Sequence, residues 1–305
     1  MFRSLLVPLD GSSFSENALP CALNIAKRSG AAVQLLHVHV PLLYTTGASA
    51  VDSGGDESVW KQERAYLDQT IARWQVAAPG VRMSSAVLEG LVPDALREQM
   101  SGKAELMVLT THGRGPASRF WLGSAADDLV QTATVPMLVL RPSEQPPPLT
   151  ISPPFHHMMI TLDGSDLAEQ AFGPALQLGR LMQTRYTLLR VVKPVVSLDP
   201  TTGWSATNDM NEPQARQQLD EAQAYLDRIA ERLRGQGLTV QTRLTLHTRP
   251  ADAILEETAK QGVDVIALAT HGRGGLQRLL LGSVADEVLR GGTTPLLICR
   301  PQIET

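Results

Sequence analysis

Apolar residues along this chain fall in short runs separated by amphipathic stretches, and the pattern is laid down twice. In the first half, RSLLVPLD reads as a strand ending on Asp10, followed by a helical run to about Arg28. AVQLLHVHV is a second strand, and residues 41 to about 56 read as a loop rich in Gly, Ser and Thr. A helix is predicted next, with Trp60, Leu67, Ile71 and Trp74 on one face. VRMSSAVL is a third strand, a short helix starts near Pro93, ELMVLTT is a fourth strand, and PMLVLRP is a fifth after one more helix.

The second half repeats the order. MMITLD ends on Asp163, YTLLRVV follows, and Ala215, Leu219, Ala222, Leu226, Ile229 and Leu233 step by three and four along an amphipathic helix. LTVQTRLTL, DVIALAT and PLLICRP complete the set. Strands alternating with helices predict parallel strands with right-handed crossovers, so each half is expected to be a doubly wound α/β domain with a five-stranded parallel sheet, Rossmann-like. The fourth and fifth strands are apolar on both faces, as a sheet covered by helices on both sides requires. RPSEQPPPLTISPPF, residues 141 to 155, is dense in proline and reads as an extended spacer. The expected division is residues 1–141, a linker at 142–155, and residues 156–305. Pro20 and Pro174 fall inside the first helical run of each half; either a helix starts there or it kinks.

At 305 residues the chain is long enough for two cores, and with only 4% aromatics these are built from Val, Leu, Ile and Ala. A formal net charge of −4 excludes the basic field of a general nucleic-acid binder. No apolar run approaches the roughly 20 residues needed to span a bilayer, and the apolar stretch of MFRSLLVPLDG is too short for a signal peptide. Neither nucleic acid nor membrane is an expected partner. Cys21 and Cys299 make no disulfide framework; they read as buried small side chains in a reducing, cytoplasmic setting.

The candidate chemistry lies in a duplicated string after the fourth strand: THGRGPASRFWLGS at 111–124 and THGRGGLQRLLLGS at 270–283. Ligands of open α/β sheets sit at the carboxyl ends of the strands. Gly113 and Gly272 belong to glycine-rich loops that let backbone approach a ligand. Gly123-Ser124 and Gly282-Ser283 open helices, whose free N–H groups favour phosphate. The bland alternative is an S-x-x-D capping box, Ser124 with Asp127 and Ser283 with Asp286, which needs no ligand. Asp10 and Asp163 point into the same crevice and accept hydrogen bonds from a nucleoside, or else cap the first helix. Val38 and Val191 pack on a base, or only on the core. Arg114 and Arg273, with Arg119 and Arg278 further on, face phosphates or solvent. His112 and His271 have no partner carboxylate in view, and His37, His39, His156 and His157 show no metal spacing that another ligand completes.

G-x9-G-[ST] after the fourth strand, with an aspartate ending the first, resembles the universal stress protein family, and THGRGGLQRLLLGSVADEVLR is similar to that family's C-terminal stretch. The resemblance covers almost the whole chain as two tandem domains. It implies ATP binding, with Mg2+, through Asp10, Val38, Gly113, Gly123 and Ser124 in one half and Asp163, Val191, Gly272, Gly282 and Ser283 in the other. The first glycine of the family's G-x2-G-x9-G-[ST] motif is Thr110 here and Ala269 in the second half. The resemblance also implies pairing through fifth strands, within the chain or between two chains, and a sensor or regulator that meets a regulatory protein partner. SGGDES at 53–58 superficially resembles a pyrophosphate loop but follows the wrong strand, and no G-x-x-x-x-G-K-[ST] loop is present. With no nucleophile and base pair legible, a dedicated enzyme is not expected, slow ATP hydrolysis aside. A nucleotide-free interaction module is the alternative.

Overall fold

The computed structural model describes residues 1–41, 53–102, 104–111, 124–143, 145–151, 155–194, 197–199, 203–205, 213–270 and 282–300. The first half runs β1 (Ser4–Pro8), α1 (Ser13–Glu16), α2 (Leu19–Ser29), β2 (Ala32–His39), α3 (Ser53–Ala77), β3 (Met83–Glu89), α4 (Val92–Met100), β4 (Leu106–Thr110), α5 (Ser124–Thr132) and β5 (Met137–Leu140). The second runs β6 (His157–Leu162), α6 (Asp166–Glu169), α7 (Phe172–Met182), β7 (Arg185–Val192), β8 (Ser197–Asp199), β9 (Gly203–Ser205), α8 (Pro213–Arg234), β10 (Val240–Leu246), α9 (Pro250–Gln261), β11 (Val265–Ala269), α10 (Ser283–Gly291) and β12 (Leu296–Cys299).

Ten strands form one sheet in the order β10-β7-β6-β11-β12-β5-β4-β1-β2-β3. In this sheet the pairs inside each half are all parallel, and the halves meet where β12 pairs antiparallel with β5, Leu297 opposite Leu138. The fifth-strand pairing is therefore made inside the chain. It leaves β3 and β10 as the sheet's edges.

Successive residues of a strand face opposite sides, and the two sides carry two cores. Leu5 and Val7 face the core beneath α2, α3, α7 and α8; Leu6 faces the core beneath α4, α5, α9 and α10. Each core contains residues of both halves. β4, β5 and β12 are buried along their whole length.

Pro20 and Pro174 are resolved the same way: the first helical run breaks into two. α2 starts at Leu19 with Pro20 in its first turn, and α7 starts at Phe172 with Pro174 in its first turn. Two expectations need correcting. α3 begins at Ser53, inside the stretch read as loop, so SGGDES is helical. Trp60 does not join Leu67 and Trp74 in the core: residues 57–62 are all exposed, and the buried stripe of α3 is established only from Leu67. Between β7 and α8 the chain also forms the small antiparallel ribbon β8–β9. Among the described residues no helix is long and apolar enough to cross a membrane. Cys21 and Cys299 are buried free thiols, pushed up to about 12 by burial.

Candidate functional site

The site grows from the turn after β1. Asp10 Oδ1 accepts hydrogen bonds from the Ser12 N–H at 3.0 Å and the Ser12 hydroxyl at 2.6 Å. Ser12 then caps α1 by accepting from the Ser15 N–H at 3.2 Å. Gly11, at φ 84°, makes the turn between them, a conformation that favours glycine. The second half repeats each contact: Asp163 Oδ1 accepts from the Ser165 N–H at 2.9 Å and hydroxyl at 2.6 Å, Ser165 caps α6, and Gly164 sits at φ 85°. The aspartate thus holds the capping serine instead of capping the helix itself.

Around Asp10 the carboxyl ends of β1, β2 and β4 open into a cavity of about 370 Å3. Asp10, His37, Val38, Glu63, Thr110 and Thr111 line it, with Leu96 and Leu129 as apolar floor. The volume lies in the range of small-molecule sites, roughly 300–1,000 Å3. Thr110 is 8% exposed and stands in the wall where the resemblance places glycine. Val38 both lines the cavity and packs on the core, and Val191 packs on the same core from the other half.

Glu63 is a wall residue the pattern did not single out. His37 Nε2 lies 3.3 Å from its Oε1 and His39 Nδ1 lies 2.8 Å from its Oε2. The only hint in sequence was that His37 and His39, two apart on a strand, share a face. Among the described residues no group of three potential ligands is arranged to hold a metal. His37 also meets the Tyr66 ring edge-on, centroids 6.2 Å apart. In the second half Arg190 takes the place of His37, its guanidinium 5.1 Å from the Tyr225 ring centroid. Burial raises both phenols above the ordinary tyrosine range, with Glu16 and Glu169 adding to the effect.

The second string is anchored at both ends: the Thr270 N–H donates to Cys299 O at 2.9 Å and the Gly282 N–H donates to Thr270 O at 2.8 Å. Gly282 is the N-cap of α10, with no side chain capping it, and Ser283 is the first helical residue. The capping box weighed as the ligand-free alternative is not formed there. Asp286 instead accepts from Arg290 Nε at 2.8 Å, one turn on along the helix. In the first half Ser124 opens α5. Gly113, Arg114, Gly123, Gly272 and Arg273 lie outside the described residues, as do His112, Arg119, His271 and Arg278. His157 belongs elsewhere: it is buried at the amino end of β6, with Nε2 2.7 Å from Thr187 Oγ1.

Comparison with known proteins agrees with the duplicated plan. The sequence profile of the universal stress protein family matches residues 1–141 and again 154–300. A universal stress protein of Mycolicibacterium smegmatis is 26% identical over 98% of this chain and 97% of its own length. Universal stress protein YxiE of Bacillus subtilis is 28% identical over 48% of this chain and 99% of its own. The crystal structure of a universal stress protein from Archaeoglobus fulgidus superposes with a TM-score of 0.71 at 16% identity, covering 97% of this chain and 98% of that one.

Proposed function

Because the chain belongs to the universal stress protein family, we propose that it is an ATP-binding regulator, each half offering one nucleotide crevice. The observation that carries this reading is the cavity at the carboxyl ends of β1, β2 and β4, where Asp10 and Val38 stand beside the start of the glycine-rich string. Adenine and ribose lie between β1 and β2, with Asp10 accepting from the nucleoside and Val38 against the base. The phosphates, with Mg2+, rest on the glycine string and the Gly123-Ser124 helix opening, aided by Arg114. In the second half Asp163, Val191, Gly272, Arg273, Gly282 and Ser283 do the same. The uncapped start of α10 supports this reading, because a helix opening with no capping side chain keeps N–H groups for an anion.

The units are residues 1–141 and 156–305, joined by 142–155, acting in the cytoplasm. Nucleotide acts by population shift, binding one arrangement of the molecule better than another, and a protein partner reads that arrangement. No dedicated catalysis is assigned. Thr110 adds a branched side chain to the first crevice where Ala269 adds one carbon to the second, so the second half is the tighter site.

Denaturing freshly purified protein and identifying released nucleotide, with its molar ratio, tests the reading. Up to two adenine nucleotides per chain are expected, and millimolar Mg-ATP is expected to stabilise the protein by RT ln(1 + [L]/Kd), about 2.7 kcal/mol at 100 Kd. No released nucleotide together with no thermal shift would reject ATP binding and leave a nucleotide-free interaction module.

A further inference from the structure

The two helices that open on Gly-Ser are tied to each other. α5 and α10 each carry an aspartate in the first turn, Asp127 and Asp286. Arg290, in the last turn of α10, donates from Nη2 to Asp127 Oδ1 at 2.9 Å and from Nε to Asp286 Oδ1 at 2.8 Å. One guanidinium thus serves the first-turn carboxylates of both halves. Its counterpart in the first half, at the same place on α5, is the uncharged Gln131, whose amide donates to Asp127 Oδ2 at 3.4 Å.

A second link runs through Arg141, just beyond β5. It donates to the carbonyl oxygens of Leu289 and Gly292, the latter at 2.9 Å, at the carboxyl end of α10. It also donates from Nη1 to Thr111 Oγ1 at 3.4 Å, in the wall of the first cavity. The start of the first string and the end of the second half's Gly-Ser helix therefore share one side chain.

We propose that Arg290 is a positioning residue that couples the two crevices, so that nucleotide phosphates in one lower the affinity of the other. The inference rests on the nucleotide reading given above. A helix opening attracts an anion, but a first-turn carboxylate opposes it, and Arg290 offsets that opposition at both helices. Phosphate at α5 draws the shared guanidinium toward Asp127. The opening of α10 is left more negative and holds phosphate less well. By linkage, occupancy of the second crevice weakens the first by the same factor. The three side chains are about one-third exposed, 35% for Arg290, 32% for Asp127 and 33% for Asp286, so solvent screens the effect. A coupling of about two- to fivefold is the expected size, falling as salt is raised.

Calorimetric titration with Mg-ATP of three forms of the full chain measures the coupling. Asp163→Asn reports the first crevice alone, Asp10→Asn the second alone, and the unsubstituted protein both together. The product of the two stepwise association constants in the unsubstituted protein is expected to fall two- to fivefold below the product of the two isolated constants. Arg290→Gln is expected to bring that ratio to one, and Arg290→Lys to keep part of it. If Arg290→Gln fails to fold, Asp286→Asn, which removes one of the two claimants, must likewise bring the ratio to one. A ratio of one in the unsubstituted protein, or a ratio that Arg290→Gln leaves in place, overturns the coupling and leaves ATP binding standing. No binding in the unsubstituted protein overturns both.

Discussion

The Tyr66 hydroxyl donates to Glu16 Oε1 at 3.1 Å, joining residues 50 positions apart. Arg73 Nη2 reaches the other oxygen, Oε2, at 2.6 Å. Glu16 ends α1, the short helix that hangs from the Asp10–Ser12 turn, whereas Tyr66 and Arg73 lie on α3. The candidate ligand turn is thus fastened to the long helix covering the sheet. In the second half only the ion pair recurs, and more loosely: Arg232 lies 3.6 Å from Glu169, while the Tyr225 hydroxyl is buried with no hydrogen-bond partner among the described residues.

Truncating Glu16 should therefore cost stability. Its side chain is 11% exposed, and its loss removes the acceptor of the Tyr66 hydroxyl and frees α1. Glu16→Ala is expected to lower the unfolding free energy by about 1–3 kcal/mol, read as a shift in the urea midpoint. Glu169→Ala should cost less, because its side chain is 26% exposed and its ion pair is longer. Equal losses for the two would mean that the tether is not what holds the turn.

Asp10 has two roles that one substitution can separate. Asp10→Asn keeps an oxygen for Ser12 and with it the turn. It removes the charge and can present an N–H where a nucleoside donor needs an acceptor. Thermal midpoints of the ligand-free proteins should nearly coincide, while affinity for Mg-ATP at the first crevice falls roughly 10- to 100-fold, the size of a lost charge-assisted hydrogen bond. Asp10→Ala is expected to lose affinity and also about 1 kcal/mol of stability as the Ser12 cap slackens. An Asn variant that binds as before would assign the aspartate to the fold alone.

Gly179 is required by a contact across the core. A Cβ there would lie 2.1 Å from the Tyr186 hydroxyl and 2.6 Å from the ring carbon bearing it. Gly179→Ala is expected to destabilise by about 1–3 kcal/mol, the usual range for overpacking. The Tyr186 hydroxyl is buried with no hydrogen-bond partner among the described residues. Tyr186→Phe alone should then be close to neutral in chemical denaturation, and combined with Gly179→Ala it should recover only part of the loss, since the ring carbons still crowd the new methyl. Full recovery in the double variant would place the clash at the hydroxyl alone.

Much of this was legible in the sequence because it depends on local order. Strand and helix order followed from the runs of Leu, Val and Ile, and Asp10 and Asp163 stood out because each ends a strand beside Gly-Ser. What stayed hidden depends on distance along the chain. His37 and His39 showed only that they complete no metal spacing, and their carboxylate appears once α3 brings Glu63 back over β2. Trp60 fitted the helical stripe, yet periodicity does not say where a helix begins to overlie its sheet. Ser283 and Asp286 matched a capping box by spacing, but the N-cap fell one residue earlier, on Gly282, and Arg290 claimed the carboxylate. The cross-half contacts of Arg141 and Arg290 needed the β5–β12 pairing before they could be seen.

His157 gives the pH dependence a definite sign. The ring is 2% exposed, Arg185 Nη2 lies 3.2 Å from its Nδ1, and Thr187 Oγ1 lies 2.7 Å from its Nε2. Burial first, and the Arg185 charge second, lower its pKa below the ordinary histidine value. The folded protein therefore holds His157 neutral at pH values where the unfolded chain, with a histidine pKa of about 6.5, already takes up a proton. Where the unfolded state binds more protons, stability rises with pH. The contribution of His157 is thus complete above about pH 6.5 and is lost as pH falls from there through the lowered folded value. His157→Gln, which keeps a polar group for Thr187, is expected to be less stable than the unsubstituted protein at pH 7.5 but to show a shallower fall in urea midpoint between pH 7 and 5. Parallel declines in the two proteins would show that the acid sensitivity comes from other groups, and that burial of this ring is not coupled to its proton.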